Sequence, residues 1–374
     1  MRLTPLGVGV LVVAVAGAVV GLVTGTATVT ALGIALVVLV GAAAVMVAEV
    51  PQVRLDRLAS PPEVSRGRAA EVRLHFTSTS RGRPRTMTVI EAVAGVDHIT
   101  TVGPIPREGS ANVAYPVPTS RRGIIIAGPL VVRHLDPFGL VVADRRFGGT
   151  CMVRVRPRRL PVRLLPAGRR RELEGPTRER SEGTTAFHQL RPYTPGDDLR
   201  RIHWRSTAKH GDLLVKQMVD TSQPELVVLL DNRAEVIGAD DFEEAVDIAA
   251  SLASAAEAEG YPADLVFTAD PGLDGDGRRL PDLDRLTAVH TVMGASLAEV
   301  ADRLRVRGHG LVVVTGEPTG PDLVTLTSLA RGASPAFLVS VRRERFSPLV
   351  PPRGMRPIAC RDAIDFVAQW SERR

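Results

Sequence analysis

Leu226-Val-Val-Leu-Leu230 runs directly into Asp231-Asn-Arg-Ala-Glu235. Five consecutive branched aliphatic residues, with no polar alternation, read as a strand buried on both faces, the habit of a parallel sheet covered by helices. The pattern continues downstream. Asp240–Glu259 spaces Phe242, Ala245, Val246, Ala249, Leu252 and Ala256 as a helix does, and Gly260 stops it. Asp264–Thr268, Leu311–Val314 and Ala336–Val341 read as further strands. Leu297–Leu304 and Ala363–Trp370 read as helices, with Trp370 expected to pack the last one on the sheet. This alternation implies an α/β-domain with a mostly parallel sheet.

Upstream the period changes. From about Val50 to Leu160, short alternating stretches are punctuated by Gly and Pro: Glu71–Phe76, Thr86–Ile90, Ala111–Val117, Gly123–Ile126 and Leu130–Val132. An all-β sandwich of about seven short strands is expected. Asp136-Pro-Phe-Gly-Leu140 supplies a turn opener, and Phe138 and Leu140 are expected to plug the sandwich. The segment Arg158–Glu182, with consecutive arginines at 169–171, reads as a basic linker or flap. The expected divisions are thus 1–49, 50–160, 161–182 and 183–374.

The N-terminus differs again. Leu6–Val23 and Val29–Val47 carry no charge, and each is long enough to cross a bilayer as a helix. Thr24–Thr28 connects them, so a transmembrane helical hairpin is expected. Its Gly and Ala content permits close approach of the two helices. Arg2 precedes the first span, Arg54 and Arg57 follow the second, and the connection has no charge. The positive-inside rule then places both ends, and the large C-terminal part, in the cytoplasm of a multi-pass inner or plasma membrane protein.

The formal net charge of +6 is unevenly placed. Residues 154–205 hold fourteen Arg against six Asp or Glu, so the rest of the chain is slightly acidic. Cys151 and Cys360 lack metal-ligand spacing, and a reducing compartment is the simpler reading. No Gly-x-x-x-x-Gly-Lys, His-Glu-x-x-His or Gly-x-Ser-x-Gly motif occurs, which argues against a P-loop ATPase, a zincin and an α/β-hydrolase. Asp270–Gly277 hints at a calcium loop but lacks a twelfth-position carboxylate, and a surface loop is the better reading.

The densest chemistry lies at 191–209, Arg-Pro-Tyr-Thr-Pro-Gly-Asp-Asp-Leu-Arg-Arg-Ile-His-Trp-Arg-Ser-Thr-Ala-Lys. Pro195-Gly196 bends the chain, and Asp197 or Asp198 can cap a helix. Leu199, Ile202 and Trp204 offer apolar anchors among Arg191, Arg200, Arg201, Arg205 and Lys209. Such a cluster must meet carboxylates, phosphates or a partner surface. Three readings stay open: a protein-docking surface anchored by Arg and Trp, an internal brace in which Arg200 and Arg205 pair with acids, and a phosphate or nucleic-acid site. With one Trp and one Tyr there is little stacking platform, so no specific nucleic acid is expected. His188, His203 and His210 surround the stretch and could respond to pH, although local hydrogen bonding explains them as well.

Arg191, Tyr193, Pro195, Gly196, Asp197, Arg200, Ile202, Trp204, Ala208 and Lys209, with Gly183 and Leu214-Val215-Lys216, resemble the signature of the domain-of-unknown-function 58 (DUF 58) family. Arg122-Gly123 and Asp136–Leu140 resemble the segment that precedes it. The resemblance implies a von Willebrand factor A-like C-terminal domain. Domains of that kind hold a divalent ion with Asp-x-Ser-x-Ser after the first strand. Here the position reads Asp231-Asn-Arg-Ala-Glu235, and Thr315-Gly316-Glu317 lacks the expected later Asp. Arg233 would repel a cation, so a degenerate site at Asp231, Arg233 and Glu235, without metal or other cofactor, is expected. The resemblance also implies a partner, a MoxR-like AAA+ ATPase. The expected role is a membrane-anchored cytoplasmic adaptor for assembly or maturation of membrane or envelope proteins, working by binding rather than catalysis. The main alternative is a metal- or His-dependent hydrolase using Asp197, His203 and Asp231. A weaker one is an anionic-lipid or nucleic-acid binder driven by the Arg run.

Overall fold

A computed structural model describes residues 1–48, 52–79, 86–164, 185–194, 202–220, 226–270, 281–304, 306, 309–343 and 350–373. The chain divides into two units, Met1–Arg156 and Pro157–Arg374.

The first unit opens with β1 (Arg2–Leu3) and two helices, α1 (Pro5–Thr24) and α2 (Ala27–Ala48). Thr4 caps α1 by accepting a hydrogen bond from the Gly7 amide at 3.0 Å, and Pro5 occupies the first turn, where its missing N–H costs nothing. Gly25 ends α1 in the left-handed region (φ 67°) that β-carbons disfavour. The connection is therefore only Gly25-Thr26, tighter than the five residues expected, because Thr24 stays helical with its hydroxyl donating to the Val20 carbonyl at 2.8 Å. Small residues set the helix–helix distance: a Cβ on Gly33 would lie 2.5 Å from the Ala18 nitrogen and 2.8 Å from the Ala14 oxygen. Both helices are long and apolar enough to cross a membrane, and most of their surface is exposed.

Strands follow: β2 (Val53–Ser60), β3 (Glu63–Ser65), β4 (Glu71–Ser78), β5 (Met87–Val93), β6 (Val96–Val102), β7 (Ser110–Pro116), β8 (Gly123–Leu135), β9 (Val141–Phe147) and β10 (Cys151–Arg156). β2, β4 and β7 form one antiparallel sheet, and the others join β1 in a seven-stranded sheet. Alternate residues of both, among them Val72, Leu74, Phe76, Val89, Val132 and Val153, share one core. Gly123–Ile126 and Leu130–Val132, expected as separate strands, are one. β8 pairs with β10 over residues 123–127 and with β9 over 130–135, so Gly128-Pro129 marks a change of partner rather than a break. One ionic contact lies in this unit's interior. Arg57 on β2 meets Glu91 on β5 at 2.6 Å, Tyr115 on β7 donates to Glu91 at 2.5 Å, and Arg57 reaches the Gly149 carbonyl at 2.7 Å.

The Asp136–Leu140 turn departs from expectation. Phe138 is exposed, and Leu140 is buried not in the common core but beside Val40, Ala43 and Val47 of α2. Both Asp136 oxygens serve the turn itself, accepting from the Phe138 amide at 2.8 Å and the Val141 amide at 2.5 Å.

The second unit contains β11 (Thr185–Pro192), α3 (Trp204–His210), β12 (Leu214–Asp220), β13 (Leu226–Leu230), α4 (Ala239–Ala258), β14 (Ala263–Phe267), α5 (Asp282–Ala288), α6 (Leu297–Arg303), β15 (Gly310–Thr315), α7 (Gly320–Ala330), β16 (Ala336–Val341), β17 (Arg356–Cys360) and α8 (Ala363–Ser371). β11 and β12 make an antiparallel pair. The others form an all-parallel sheet in the order β14-β13-β15-β16-β17. Val228 and Leu230 of β13 face a core with α4 and α8, while Val227 and Leu229 face another with α6 and α7. That two-sided burial is why the run could be uniformly apolar. Trp370 stacks on Phe337 and Phe366 and donates its indole N–H to the Arg163 carbonyl at 2.9 Å.

Residues 157–164 are not free of the unit. The Arg158 guanidinium binds Asp247 at 2.5 Å and Glu244 at 2.6 Å, and the Leu160 amide donates to the Ser251 hydroxyl at 2.9 Å. The first residues of the expected basic linker are thus strapped along α4, because two buried carboxylates on that helix need a cation. The rest of it, 165–184, lies outside the described residues.

Candidate functional site

The 191–209 stretch is organised around β12. Arg191 stands opposite Val215 and Pro192 opposite Leu214 in the β11–β12 ladder. The Tyr193 amide then donates to the Leu213 carbonyl at 2.8 Å. On the other side of β12, Ile202 bridges Val215 and the His203 amide donates to the Leu214 carbonyl at 2.8 Å. Ile202 and Val215 are both buried, so the apolar anchor of the stretch faces inward.

α3 follows at once. His203 caps it, Nδ1 accepting from the Ser206 amide at 3.2 Å, so this histidine has a local structural task. Gly211 closes the helix with φ 81°, and the Thr207 hydroxyl accepts from the Leu214 amide at 3.1 Å, tying the helix back to β12. Trp204 is 65% exposed, and Arg205, Ala208 and Lys209 are exposed with it. Positions 204 and 208, and 205 and 209, are each four apart, so Trp204 lines up with Ala208 on one stripe of the helix and Arg205 with Lys209 on the next. Pro195, Gly196, Asp197, Asp198, Leu199, Arg200 and Arg201 lie outside the described residues, as do the side chains of His188, Arg191 and His210. Of the cluster expected from the sequence, the described residues are Tyr193 beside β12, Ile202 turned inward, and Trp204, Arg205 and Lys209 exposed on α3.

A second constellation lies where the carboxyl ends of β13, β14 and β15 meet. The sheet reverses its winding between β13 and β15, the position at which open α/β sheets form their binding crevice. Asp231 sits there, almost fully buried. Its Oδ1 accepts from Arg233 Nε at 2.9 Å and the Thr268 hydroxyl at 3.1 Å, and its Oδ2 accepts from Arg233 Nη2 at 2.8 Å and the Thr315 hydroxyl at 2.9 Å. Arg233 Nη1 reaches Asp322 at 2.9 Å. Asp322 in turn accepts from the Thr319 amide and hydroxyl at 2.8 and 2.7 Å in a capping box at the start of α7. The guanidinium stands between two carboxylates, and two hydroxyls complete the hydrogen bonding of Asp231. It is this residue, expected merely to repel a cation, that supplies the positive charge the acids require. Hydrogen bonds to Asp231, opposed by burial, raise the Arg233 pKa above its ordinary value. Burial pushes Asp322 up, but hydrogen bonds from Arg233 and Thr319 outweigh it and hold that carboxyl below the usual range. Glu235 stays outside this group: it is exposed and accepts from the Gly294 amide at 2.7 Å, which holds its pKa low. The sequence carries no signal that joins Asp322, Thr268 and Thr315 to Asp231. A lone acid 89 residues from Arg233 gives no local signal. Of Asp270–Gly277 only Asp270 is described, and it pairs with the buried Arg285 at 2.7 Å.

The 191–209 stretch falls inside a segment, residues 189–281, that matches the family described as "Protein of unknown function DUF58". That segment is similar to the DUF58 family. The match spans about a quarter of the chain and includes β12, α3, β13 and α4. No curated protein matches it. Among solved structures it is similar to a CARDB domain from Pyrococcus furiosus, at 16% identity and a TM-score of 0.22, covering 29% of this chain and 94% of that one. An alkylpurine DNA glycosylase from Pseudomonas fluorescens matches at 14% identity and a TM-score of 0.18, covering 26% of this chain and 31% of its own. A β-glucosidase from Listeria innocua matches at 13% and 0.16, covering 26% and 16%.

Proposed function

We propose that this protein is a membrane-anchored adaptor that grips a partner protein through the exposed face of α3. In this reading α1 and α2 cross the membrane as a hairpin with both ends in the cytoplasm, the strands of the first unit form a β-sandwich spacer, and the parallel sheet belongs to a von Willebrand factor A-like domain. The partner we favour is a MoxR-like AAA+ ATPase, engaged for assembly or maturation of membrane or envelope proteins.

One observation carries the reading: Trp204 holds 65% of its surface in water on the same short helix as the exposed Arg205 and Lys209. A large indole left out of every core is energetically wasteful unless something covers it, and Trp and Arg are the residues that dominate binding hot spots. Binding is favoured over catalysis because the buried Asp231 spends both oxygens on Arg233, Thr268 and Thr315, and His203 spends Nδ1 on capping α3. The test is co-purification of the ATPase with the full-length chain from detergent-solubilised native membranes. Trp204→Ala is expected to lose the ATPase while the near-native fold is retained; undiminished recovery would refute the docking role. Reporter fusions at Gly25 and at the C-terminus are expected to report opposite sides of the membrane.

A further inference from the structure

We propose that the Asp136–Leu140 turn is a lipid-contacting wedge, seated at the headgroup level of the bilayer beside the foot of α1. The proposal rests on the reading of α1 and α2 as membrane spans.

The turn is joined directly to that foot. Thr4 donates its amide to the Leu140 carbonyl at 2.9 Å and its hydroxyl to the Gly139 carbonyl at 2.6 Å. Gly7 lies so close to Leu140 that any β-carbon there would overlap its carbonyl. On the other side Leu140, Val141 and Ala143 pack against Val40, Ala43 and Val47 of α2. α1 has 20 residues, about 30 Å at about 1.5 Å per residue, which is no more than the thickness of a hydrocarbon core. A span with no length to spare must begin where the hydrocarbon begins. Gly7 is two residues into α1, so whatever touches Thr4 and Gly7 sits at that same boundary.

The side chains suit the place. Phe138 at the tip is 54% exposed, Leu135 just before the turn is 49% exposed, and Met1 is 65% exposed. The charge of Asp136 is turned inward on the Phe138 and Val141 amides, leaving the tip apolar. Cations lie alongside: Arg2 pairs with Asp144 at 3.4 Å, and Arg133 pairs with the same carboxylate at 2.8 Å, so two guanidinium groups share one acid. An exposed aromatic ring flanked by excess positive charge matches the boundary between acyl chains and phosphates.

The experiment uses the full-length chain with Cys151→Ala and Cys360→Ala, reconstituted in phosphatidylcholine–phosphatidylglycerol vesicles. A nitroxide is placed singly at Val13→Cys in α1, at Phe138→Cys, or at Ile124→Cys. Ile124 lies eleven positions from Leu135 along β8, on the order of 35 Å in extended chain. Depth is read from relaxation by oxygen relative to a water-soluble nickel chelate. The expected order is Val13 deep, Phe138 at the headgroups and Ile124 in water. A Phe138 label as aqueous as Ile124, with Val13 deep, overturns the wedge and leaves the spans standing. An aqueous Val13 label removes the spans and the wedge with them. Phe138→Trp on the unaltered cysteine background is expected to add emission that brominated lipid quenches; an added signal insensitive to the lipid also overturns the wedge.

Discussion

Replacing Arg233 by Met keeps much of the side-chain length but removes the charge between Asp231 and Asp322. The wild-type guanidinium makes three charge-assisted hydrogen bonds of 2.8–2.9 Å to those two acids, and its side chain is only 10% exposed. Removing one partner of a buried ionic group leaves the other uncompensated, at a cost of about 3–5 kcal/mol. With an m-value on the order of 2 kcal/mol/M, the urea midpoint should fall by about 1.5–2.5 M. Tryptophan emission reports this unit cleanly: the chain has two Trp, of which Trp370 is buried in the α4–α8 core and Trp204 already stands in water. The pH dependence adds a second signature. Asp322 is held below the ordinary carboxylate range, so in the wild type it contributes stability above its unfolded value, lost as pH falls through the lower native value. In Arg233→Met burial is left as the leading influence, that carboxyl moves up, and its protonation relieves the variant. The gap between the two proteins should therefore narrow on acidification from pH 7 to about pH 4. A loss under about 1 kcal/mol, or a gap that widens in acid, would refute the view of Arg233 as the resident counter-charge.

Arg158→Ala removes the guanidinium that Asp247 and Glu244 share, while Glu244 keeps Arg343 at 2.9 Å, and is expected to cost about 2–4 kcal/mol, measured by the same urea titration, with Arg158→Lys recovering only part because the fork to two acids is lost. Cys360 is buried, and burial, reinforced by nearby acids, pushes its thiol pKa well above the ordinary value, whereas Cys151 is partly exposed. Alkylation of the native protein at pH 8 should thus modify Cys151 first and Cys360 only on unfolding, as peptide mass mapping would show. Gly33→Leu forces a side chain into the Ala14–Ala18 backbone and should lower the thermal aggregation midpoint of the detergent-solubilised chain, whereas Gly41→Leu, with open space at its β-carbon, should not.

Much of the parallel sheet was legible because its residues have no alternative environment. Val227 and Val228 point to opposite faces, and both are buried, so the sequence shows an unbroken apolar run. α7 is hidden in the sequence because Gly320-Pro321 reads as a turn, although Thr319 and Asp322 spell its capping box. β17 is hidden as well, since it is a five-residue edge strand containing Pro357, a residue that argues against a strand. In the first unit, hydrophobicity alone puts Phe138 in the core, yet the turn that Asp136 closes leaves it exposed. The buried group around Asp231 is half visible in the sequence. Asp231 and Arg233 stood out as a motif, but Asp322, Thr268 and Thr315 converge only through the strand order. The exposure of Trp204 was not readable at all, since Ile202, two positions earlier, is equally apolar and turns inward to Val215.

The most direct test of the docking claim is a photo-crosslinking amino acid placed at Trp204 of the full-length chain in living cells, with Ile124 as the control position. Recovery of a covalent adduct that mass spectrometry identifies as a MoxR-like ATPase, from position 204 and not from 124, is the expected result. Absence of that adduct from position 204, with the ATPase expressed and the chain in the membrane fraction, would contradict it.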